Sequence, residues 1–347
     1  MSLRNLLTQV GLLDKMWVWR IANVFLNQKY ISALIREASV KAREQGLSAA
    51  SLKEYKKAAR KYSVSFEEFY LQFDFPRQSD LQREQFMSQV RLRLLYNTLL
   101  KPKDEEVFWD KAQFLCSFHN FIKREWIDVA KIDYERFLEF ITKYDCIAKP
   151  SKSSCGTGVF KIVRNSSDME KSLFLKLSQD NYILEQCIRN EASIAAFHPS
   201  SLNTVRVVTV RGKSGKIWIL GSFIRFGTGG NIVDNGGKNG ILSQIDLTTG
   251  EIFTDAVDKD GRSFATHPDS GITFKGFRIL KFKEMLEVCV KAARTAPPSV
   301  PIIGWDVVIR DDGIIDIIEG NQRPDAYGLQ TPVKIGYKDK LYKFLNS

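Results

Sequence analysis

The chain has 347 residues, of which 44% are apolar and 26% are charged, a composition typical of globular proteins rather than disordered or fibrous ones. Its length allows one large domain or two to three ordinary ones. No stretch of 18 residues is free of charge and the N-terminus lacks a signal-peptide pattern, so neither a transmembrane helix nor secretion is expected. Five cysteines without close pairs and only three histidines argue against a disulfide framework or a zinc site and favour a reducing cytoplasm.

The net charge of +11 is unevenly distributed along the chain. Residues 1–60 contain eleven Lys and Arg but only four Asp and Glu, a net charge of +7. Such an excess suits an anionic partner, such as a membrane surface, an acidic polysaccharide or nucleic acid. A solvated helical surface is the alternative interpretation, because charge bears on solubility before it bears on binding.

The sequence up to residue 145 is rich in helix-forming residues and poor in proline. Residues 16–38 have apolar side chains at helical spacing, which predicts a helix that packs in a core or, alternatively, lies on a membrane surface. Core packing is favoured, because the apolar positions are too broadly spread for a narrow stripe. Residues 63–75 and 79–95 predict further helices, the second with a cap at Ser79 or Asp80.

From residue 146 the sequence changes to short β-rich segments separated by turn signals. Residues 146–150, 158–164 and 182–188 predict single strands, and 203–226, 241–257 and 305–321 predict hairpins. A helix over 276–296 is ended by Pro297 and Pro298. Helices followed by antiparallel hairpins indicate an α+β fold.

The last hairpin ends in residues that rarely lie at the end of a buried strand. A two-residue turn at Asp312-Gly313 would place Asp306 opposite Glu319, on the face shared by Asn321. Two carboxylates and an amide so close together offer hard oxygen ligands, which suit Mg²⁺. The alternative is a strand end that merely reaches solvent.

The segment 147–162 (IAKPSKSSCGTGVFKI) places Lys149 at the end of a strand, before a loop of small residues that could approach an anion. The loop is neither a Walker A motif nor G-x-G-x-x-G, and a flexible hairpin turn explains it equally well. No histidine follows Cys155 closely, so a nucleophilic role is disfavoured. Within residues 198–210, Arg206 lies in an apolar strand that begins near Asn203, and either pairs with a buried acid or binds an anionic ligand.

The segment 224–240 contains six glycines and three asparagines, with Arg225 at its base. Loops of this length are uncommon unless they are functional or disordered. We interpret it as a substrate or phosphate loop.

Taken in order, these motifs resemble an ATP-grasp domain, most closely the sugar-transfer-associated ATP-grasp proteins, which are similar to α-L-glutamate-ligase-like enzymes. The matching stretches are DKAQF, AKPSKSSCGTGVFKI, YILEQCI, HPSSLNTVRVVT, VDNGGKNGILSQID and GWDVVIRDDGIIDIIEGN. The resemblance implies two α+β subdomains that clasp ATP, after a basic helical region over residues 1–104. The ATP-grasp domain would span 105–345, with a glycine-loop and adenine subdomain over 146–190 and a metal and acceptor subdomain over 191–345.

The resemblance also implies roles for individual residues. Metal ligands would be Asp306, Glu319 and Asn321, and catalytic groups Lys149, Arg206 and Arg225. Residues expected to bind ATP are Lys111, Lys149, Ser154, Gly156, Gly158, Glu185, Gln186, Cys187, Ile188, Asn203 and Arg206. One departure is Gly304, because many amino-acid ligases of this type have an arginine two residues before the first metal-binding Asp; Arg206 or Arg225 could replace it.

The implied activity is an ATP- and Mg²⁺-dependent carboxylate–amine ligase that acts through an acylphosphate. By analogy it would join an amino acid or amine to a uronic-acid-type sugar of a surface polysaccharide, in the cytoplasm or at the inner membrane face. The basic N-terminal region would then contact an acidic glycan, a membrane or a glycan carrier, and no nucleic acid is expected. A kinase on a sugar or glycan is the main alternative, and a non-catalytic nucleotide-binding module is a weaker one.

Overall fold

The computed structural model describes residues 16–44, 46–153, 157–164, 171–229, 240–325 and 327–347, with side chains from residue 28 onward. The chain divides into two compact units, residues 1–100 with 325–339, and residues 101–324 with 340–347. Segment 325–339 thus contributes to the first of these units, and the domain bounds predicted from the sequence stay a prediction. The predicted α+β class with a helical N-terminal region is confirmed.

The first unit contains α1 (Met16–Glu44), α2 (Ala49–Tyr62), α3 (Asp80–Glu84) and α4 (Gln89–Leu99). In α1, the described side chains of Ile31 and Ala38 are buried, in keeping with core packing of this part of the helix. No helix among the described residues is long and apolar enough to span a membrane.

Two of the predicted helices in this unit are wrong in extent. Of residues 63–75, a continuous helical stretch covers only 66–72, in which Glu68–Gln72 is a π-helical turn, and Phe75 begins a 3-10 turn, Phe75–Arg77. Residues 79–95 form two helices rather than one, because the segment contains two N-caps. Ser79 caps α3 in a capping box with Gln82, and Ser88 caps α4.

A carboxylate lies inside this helical unit. Glu68 is 4% exposed and accepts hydrogen bonds from the backbone N–H groups of Ser65 and Gln89, at 2.7 and 2.6 Å. Burial raises the pKa of Glu68 to about 7, although these hydrogen bonds oppose the shift. Glu68 therefore links the π-helical turn to the first residue of α4, and its removal from water disfavours the charged form of its carboxyl group.

This burial predicts a pH-dependent stability. The folded state holds the proton on Glu68 up to a higher pH than the unfolded state, so the unfolding free energy should fall as pH rises from about 4.5 to about 7, by ~3 kcal/mol. Above about pH 7 this contribution is constant. Urea unfolding at pH 5 and pH 8 should show that Glu68→Gln loses this part of the pH dependence, whereas the exposed control Glu44→Gln keeps it. Equal pH dependence in the two variants would contradict the assignment.

The second unit contains seven α-helices and two antiparallel sheets within the described ranges. Its helices, including one that crosses the division, are α5 (Pro102–Trp109), α6 (Lys111–Ser117), α7 (Tyr134–Lys143), α8 (Lys171–Gln179), α9 (Ala192–Ala195), α10 (Phe282–Thr295) and α11 (Lys338–Asn346). The four-stranded sheet has the order β1 (Trp126–Asp128), β4 (Tyr182–Gln186), β2 (Cys146–Pro150) and β3 (Phe160–Ile162). The seven-stranded sheet has the order β11 (Ile315–Asn321), β10 (Ile302–Ile309), β5 (Thr204–Arg211), β6 (Ile217–Phe226), β7 (Ile241–Gln244), β8 (Ala256–Val257) and β9 (Ser263–Phe264).

Each sheet is supported by its own apolar cluster. Under the small sheet, α7 contributes Phe137, Phe140 and Ile141, which pack with Ala148 and Leu184 of the strands. At the β10–β11 end of the large sheet, the rings of Phe108, Phe114 and Phe118 pack around Trp305. Gly320 lies against these rings, because a Cβ there would come within 2.9 Å of Phe114. One face of the last hairpin is thus fixed on aromatic side chains.

The last hairpin has the predicted partners but not the predicted turn. Near the turn Ile309 pairs with Ile315, and Arg310 and Ile314 are joined by a 2.9 Å hydrogen bond, so the connection has three residues rather than two. Gly313 takes a positive φ of 77°, which glycine adopts readily. A β-bulge between the two halves of the pairing then adds one residue to β11, and Asp306 faces Glu319 as predicted. The two deviations cancel at the site.

Candidate functional site

Three neighbouring strands place one functional residue each in a single row. Arg206 of β5 pairs with Asp306 of β10, and Asp306 pairs with Glu319 of β11. Directly opposed residues point to the same face, so all three side chains converge. Arg225 joins them from β6, where it is in register with Thr204.

Asp306 is the centre of this row. It is 2% exposed and receives a bidentate contact from Arg206, at 2.5 Å from Nε and 2.8 Å from Nη2, and a third contact from Arg225 at 2.5 Å. Burial alone would raise the pKa of Asp306, but the two guanidinium groups hold that pKa far below the usual carboxyl range. Asp306 is therefore ionised and firmly held.

Glu319 differs from its partner Asp306, because Glu319 is exposed to solvent. Crowding by surrounding protein atoms and the facing carboxylate of Asp306 raise the pKa of Glu319. Two residues further on, the Asn321 Oδ1 accepts a 2.9 Å hydrogen bond from the Arg323 N–H, which orients the amide and leaves a second lone pair. Glu319 and Asn321 are thus the accessible oxygen donors of the predicted metal set.

Gly304 explains how Arg206 reaches this position. A Cβ at Gly304 would lie 2.9 Å from Arg206 Cδ and 3.0 Å from Nη1, so the arginine side chain occupies the space over the glycine. The arginine that the family resemblance led us to expect at position 304 is therefore matched in space by one from the neighbouring strand. That Arg206, rather than Arg225, replaces it in function stays a prediction.

We expect Gly304→Ala to displace the Arg206 guanidinium and to lower turnover about 100-fold, the cost of misplacing a reacting group by about 1 Å. Gly320→Ala is the matched control, because it creates an equally close 2.9 Å contact on the same hairpin, but with Phe114 rather than with the arginine. Steady-state kinetics and thermal melting should show Gly304→Ala losing mainly activity and Gly320→Ala losing mainly stability. A similar ratio of the two losses would contradict this role of the glycine.

A second group of charges extends from the small sheet. Lys149 of β2 contacts the buried carboxylate of Glu185 on β4 at 3.1 Å, and Arg124 contacts the other oxygen of Glu185 at 2.5 Å. Burial alone would raise the pKa of Glu185, but Arg124 and Lys149 lower it to about 2. Lys111 donates to Ser153 O at 2.6 Å, and burial lowers its pKa while the nearby Glu319 opposes that shift. Lys111 is thus close both to Glu319 of the large sheet and to the Lys149–Glu185 pair of the small sheet.

Two of the predicted nucleotide ligands have structural roles in this arrangement. The Asn203 side chain is 1% exposed; its amide donates to Ile194 O and His198 O, and its oxygen accepts from Ser201 and Gly227. The hydrogen-bonding positions of this amide are thus used within the protein, and its assignment to ATP stays a prediction. The Glu185 carboxylate likewise holds two cations. Within the same strand segment, Gln186 and Cys187 are half-buried and their N–H groups bond to Glu125 O and Asp145 O.

The remaining predicted positions are partly described. Ile188 is half-buried beyond the end of β4. Gly158 has a φ of 73° and its carbonyl accepts from the Tyr182 hydroxyl at 3.1 Å, while a Cβ would come within 2.9 Å of Pro150. Ser154 and Gly156 of the glycine loop, with Cys155, lie outside the described residues, as do residues 230–239 of the predicted substrate loop.

Sequence reasoning missed Arg124 and Asp316. Arg124 reads as one more charge in a polar segment, and Asp316 as a polar interruption of a strand. Both are buried, and their Nη1 and Oδ1 atoms are 2.9 Å apart. No motif could have identified them, because the contact joins residues 192 positions apart.

The donor set fits a magnesium–polyphosphate ligand on chemical grounds. Among the described residues no group of three or more His, Cys, Asp and Glu is arranged to hold a metal ion, so the candidate is two carboxylates and an amide. A carboxylate has about four lone-pair sites, and the arginines use three on Asp306. Mg²⁺ commonly needs only one or two protein carboxylates and takes its other ligands from water and phosphate. The nearby cations suit those phosphates: Lys111, Lys149, Arg206 and Arg225.

A family of known proteins matches this architecture. The sequence model of the sugar-transfer-associated ATP-grasp family aligns with residues 121–345, which is more than half of the chain. The chain belongs to this family. The resemblance recognised in the motifs is thereby confirmed, and the α+β fold described above is an ATP-grasp fold with a helical N-terminal region.

Solved ATP-grasp structures share limited similarity with the chain. The ATP-grasp ligase PsnB, complexed with a phosphomimetic variant of its minimal precursor, Mg and ADP, is 13% identical over 74% of this chain and 65% of that one, with a TM-score of 0.44. N5-carboxyaminoimidazole synthetase from Staphylococcus aureus, complexed with ADP, is 12% identical over 72% and 58%, with a TM-score of 0.43. The chain thus spans a little under two thirds of the length of PsnB and less of the synthetase. A search of curated proteins gave no match.

Proposed function

We propose that this ATP-grasp protein is an ATP- and Mg²⁺-dependent carboxylate–amine ligase. The observation that carries the proposal is the convergence of Asp306, Glu319 and Asn321 with Arg206 and Arg225 on one face of the large sheet. Lys111 lies near both Glu319 and Lys149, and these two lysines add cations from outside this sheet. Such a site suits a nucleotide triphosphate with its metal, because opposed fixed charges position and neutralise a transferring phosphoryl group.

Each part of the site has a defined task in this proposal. Lys149 and Lys111 bind phosphate oxygens, and the segment Glu185–Ile188 lies against the adenine. Gly158, with the predicted loop residues Ser154 and Gly156, belongs to the segment that covers the phosphates. Glu319 and Asn321, with Asp306, hold Mg²⁺. When bound, the ion neutralises phosphate charge and orients the γ-phosphoryl group.

The reaction then needs no side-chain nucleophile. A carboxylate oxygen of the acid attacks the γ-phosphorus of ATP, the bond to the bridging oxygen breaks, and ADP leaves. The nitrogen of the amine attacks the resulting acylphosphate carbon, inorganic phosphate leaves and the amine nitrogen loses a proton. Arg206 and Arg225 stabilise the negative charge that develops on the acyl oxygen and the phosphate.

The position of Arg206 is compatible with the proposed ligase. Its guanidinium lies over Gly304 and is fixed by Asp306, so a cation is present next to the metal set, where an acyl intermediate needs one.

For the acceptor we propose a uronic-acid-type sugar, joined to an amino acid or amine during surface-polysaccharide synthesis. The sugar-transfer association of the family supports a sugar substrate. The net charge of +7 in residues 1–60 supports an acidic glycan or a glycan carrier at the inner membrane face. A cytoplasmic location follows from the need for ATP.

Purified protein should release ADP from Mg-ATP only when both a carboxylic acid and an amine are present. A panel of uronic acids, each paired with amino acids, would be assayed by coupled ADP detection and by mass spectrometry of the amide product. ADP release that needs one acceptor and leaves a stable phosphorylated product would identify a kinase instead. Failure to bind ATP at all would overturn both assignments.

A further inference from the structure

The bulge in β11 decides which way the metal ligands point. Val307 pairs with Ile317 and Asp306 with Glu319, so Ile318 is the additional residue. Without the bulge, the register near the turn would place Ile318 opposite Asp306 and turn Glu319 to the other face, because side chains alternate along a strand. That other face is the one that packs on Phe108 and Phe114.

One side chain holds the carbonyl groups at this bulge. Arg124 donates from Nη2 to Ile318 O at 2.9 Å and from Nη1 to Ile317 O at 2.8 Å. The same Nη1 donates to Asp316 Oδ1, the residue just before them, at 2.9 Å. The fork of a guanidinium suits this task, since it presents several donors in one fixed plane. Asp316 also accepts from the Lys123 N–H at 3.0 Å, so the bulge is tied to both residues of this short segment.

The same guanidinium also reaches the nucleotide side of the site. Arg124 Nε contacts Glu185 at 2.5 Å, and the second oxygen of Glu185 contacts Lys149 at 3.1 Å. The side chains of Arg124 and Glu185 are only 2% and 5% exposed. A continuous chain of charges, buried as far as Glu185, therefore runs from the bulge of β11 to Lys149 of β2, the lysine proposed to bind phosphate. Buried pairs of this kind keep their geometry, because breaking them strands a charge away from water.

We propose that Arg124 is a positioning residue, which fixes the β11 bulge and so holds Glu319 and Asn321 in register with Lys149. The proposal deepens the function proposed above and rests on it for its catalytic consequence. Its structural part, that Arg124 sets the register of β11, stands on the contacts alone.

The first test compares Arg124→Lys with Arg310→Lys. Lysine keeps the charge but not the fork, so the carbonyl groups of Ile317 and Ile318 lose simultaneous donors. Arg310 is a matched control on the same hairpin, because it donates to Lys123 O at 2.8 Å and to Asp312 at 2.7 Å rather than to the carbonyl groups of Ile317 and Ile318. Hydrogen exchange measured by mass spectrometry should rise at least 10-fold over residues 315–321 in Arg124→Lys and remain near wild type there in Arg310→Lys.

The second readout is binding rather than turnover. With a non-hydrolysable ATP analogue, Arg124→Lys should raise the half-saturating Mg²⁺ concentration about 10-fold or more, while the analogue without metal binds as it does to wild type. In kinetics kcat should fall more than the KM for ATP rises. If exchange over 315–321 and the Mg²⁺ requirement both match those of Arg310→Lys, the positioning role is overturned.

A third variant covers the case in which Arg124→Lys fails to fold. Deleting Ile318 removes the extra residue and places Glu319 opposite Asp306 in a regular pairing. In this background Arg124→Lys should fold and change the Mg²⁺ requirement less than twofold; an undiminished effect, or renewed failure to fold, overturns the proposal. Wild-type protein that binds no nucleotide defeats the proposed function, whereas the exchange comparison still decides the role of Arg124.

Discussion

Replacing Glu319 by Gln should reduce amine-dependent ADP release at least 100-fold and leave the fold intact. Glu319 is the accessible carboxylate of the predicted metal set, so the substitution removes the charge that would hold Mg²⁺ next to the phosphates. Thermal stability should stay the same or rise, because the carboxylates of Glu319 and Asp306 repel each other when no metal ion is bound between them. Turnover would be measured at saturating Mg²⁺, and stability by calorimetry without metal.

Glu287→Gln is the matched control for this substitution. Glu287 is an exposed glutamate on α10, and neutralising it removes the same charge from the same unit. This variant should turn over at the wild-type rate. If Glu319→Gln turned over at the wild-type rate, with the same half-saturating Mg²⁺ concentration as wild type, Glu319 would not be a metal ligand.

Replacing Asp306 by Asn should cost both stability and activity, with a loss of about 3–5 kcal/mol in unfolding free energy. The substitution removes the carboxylate charge that Arg206 and Arg225 both contact at the centre of the row, and these guanidinium groups are partly or fully buried. Turnover should fall as far as in Glu319→Gln. Urea unfolding and steady-state kinetics measured together separate the two substitutions.

The control for this change is Asp312→Asn in the turn of the same hairpin. Asp312 is exposed and pairs with Arg310, so its loss should cost about 1 kcal/mol or less and leave turnover unchanged. If Asp306→Asn is as stable as Asp312→Asn, the buried arginines do not depend on this carboxylate. The assignment of Asp306 as the anchor of the site would then be wrong.

The sequence predicted the pairing of Asp306 with Glu319 for a reason that was partly mistaken. An Asp-Gly pair signals a short turn, but the pattern cannot distinguish a two-residue connection from a three-residue one ending in glycine. The sequence does not indicate the bulge at Ile318, because each isoleucine of this segment suits either face of a buried strand. The predicted partners were correct because the two errors compensate. In the first unit, the helix break at Ser88 was missed because apolar spacing continues across it.

The site residues divide in the same way. Lys149, Arg206 and Glu319 stand out in a sequence because a charge at the end or inside of an apolar strand needs an explanation. Asn203 and Glu185 were expected to bind ATP only because of the family resemblance, and their side chains make hydrogen bonds and ion pairs within the protein. Arg124 gave no signal, since its partners Glu185 and Asp316 are distant in the chain and meet only after folding. Sequence patterns can thus indicate where charges are buried, but not what satisfies them.

The most direct test of the account is the Mg²⁺ dependence of nucleotide binding, which requires no knowledge of the acid or the amine. Calorimetric titration with a non-hydrolysable ATP analogue should show wild-type binding at least 10-fold tighter with Mg²⁺ than without. In Glu319→Gln that enhancement should disappear, and in Lys149→Met binding should weaken under both conditions. Wild-type binding that is indifferent to Mg²⁺, or an enhancement that persists in Glu319→Gln, would contradict the proposal that this face of the sheet binds Mg-ATP.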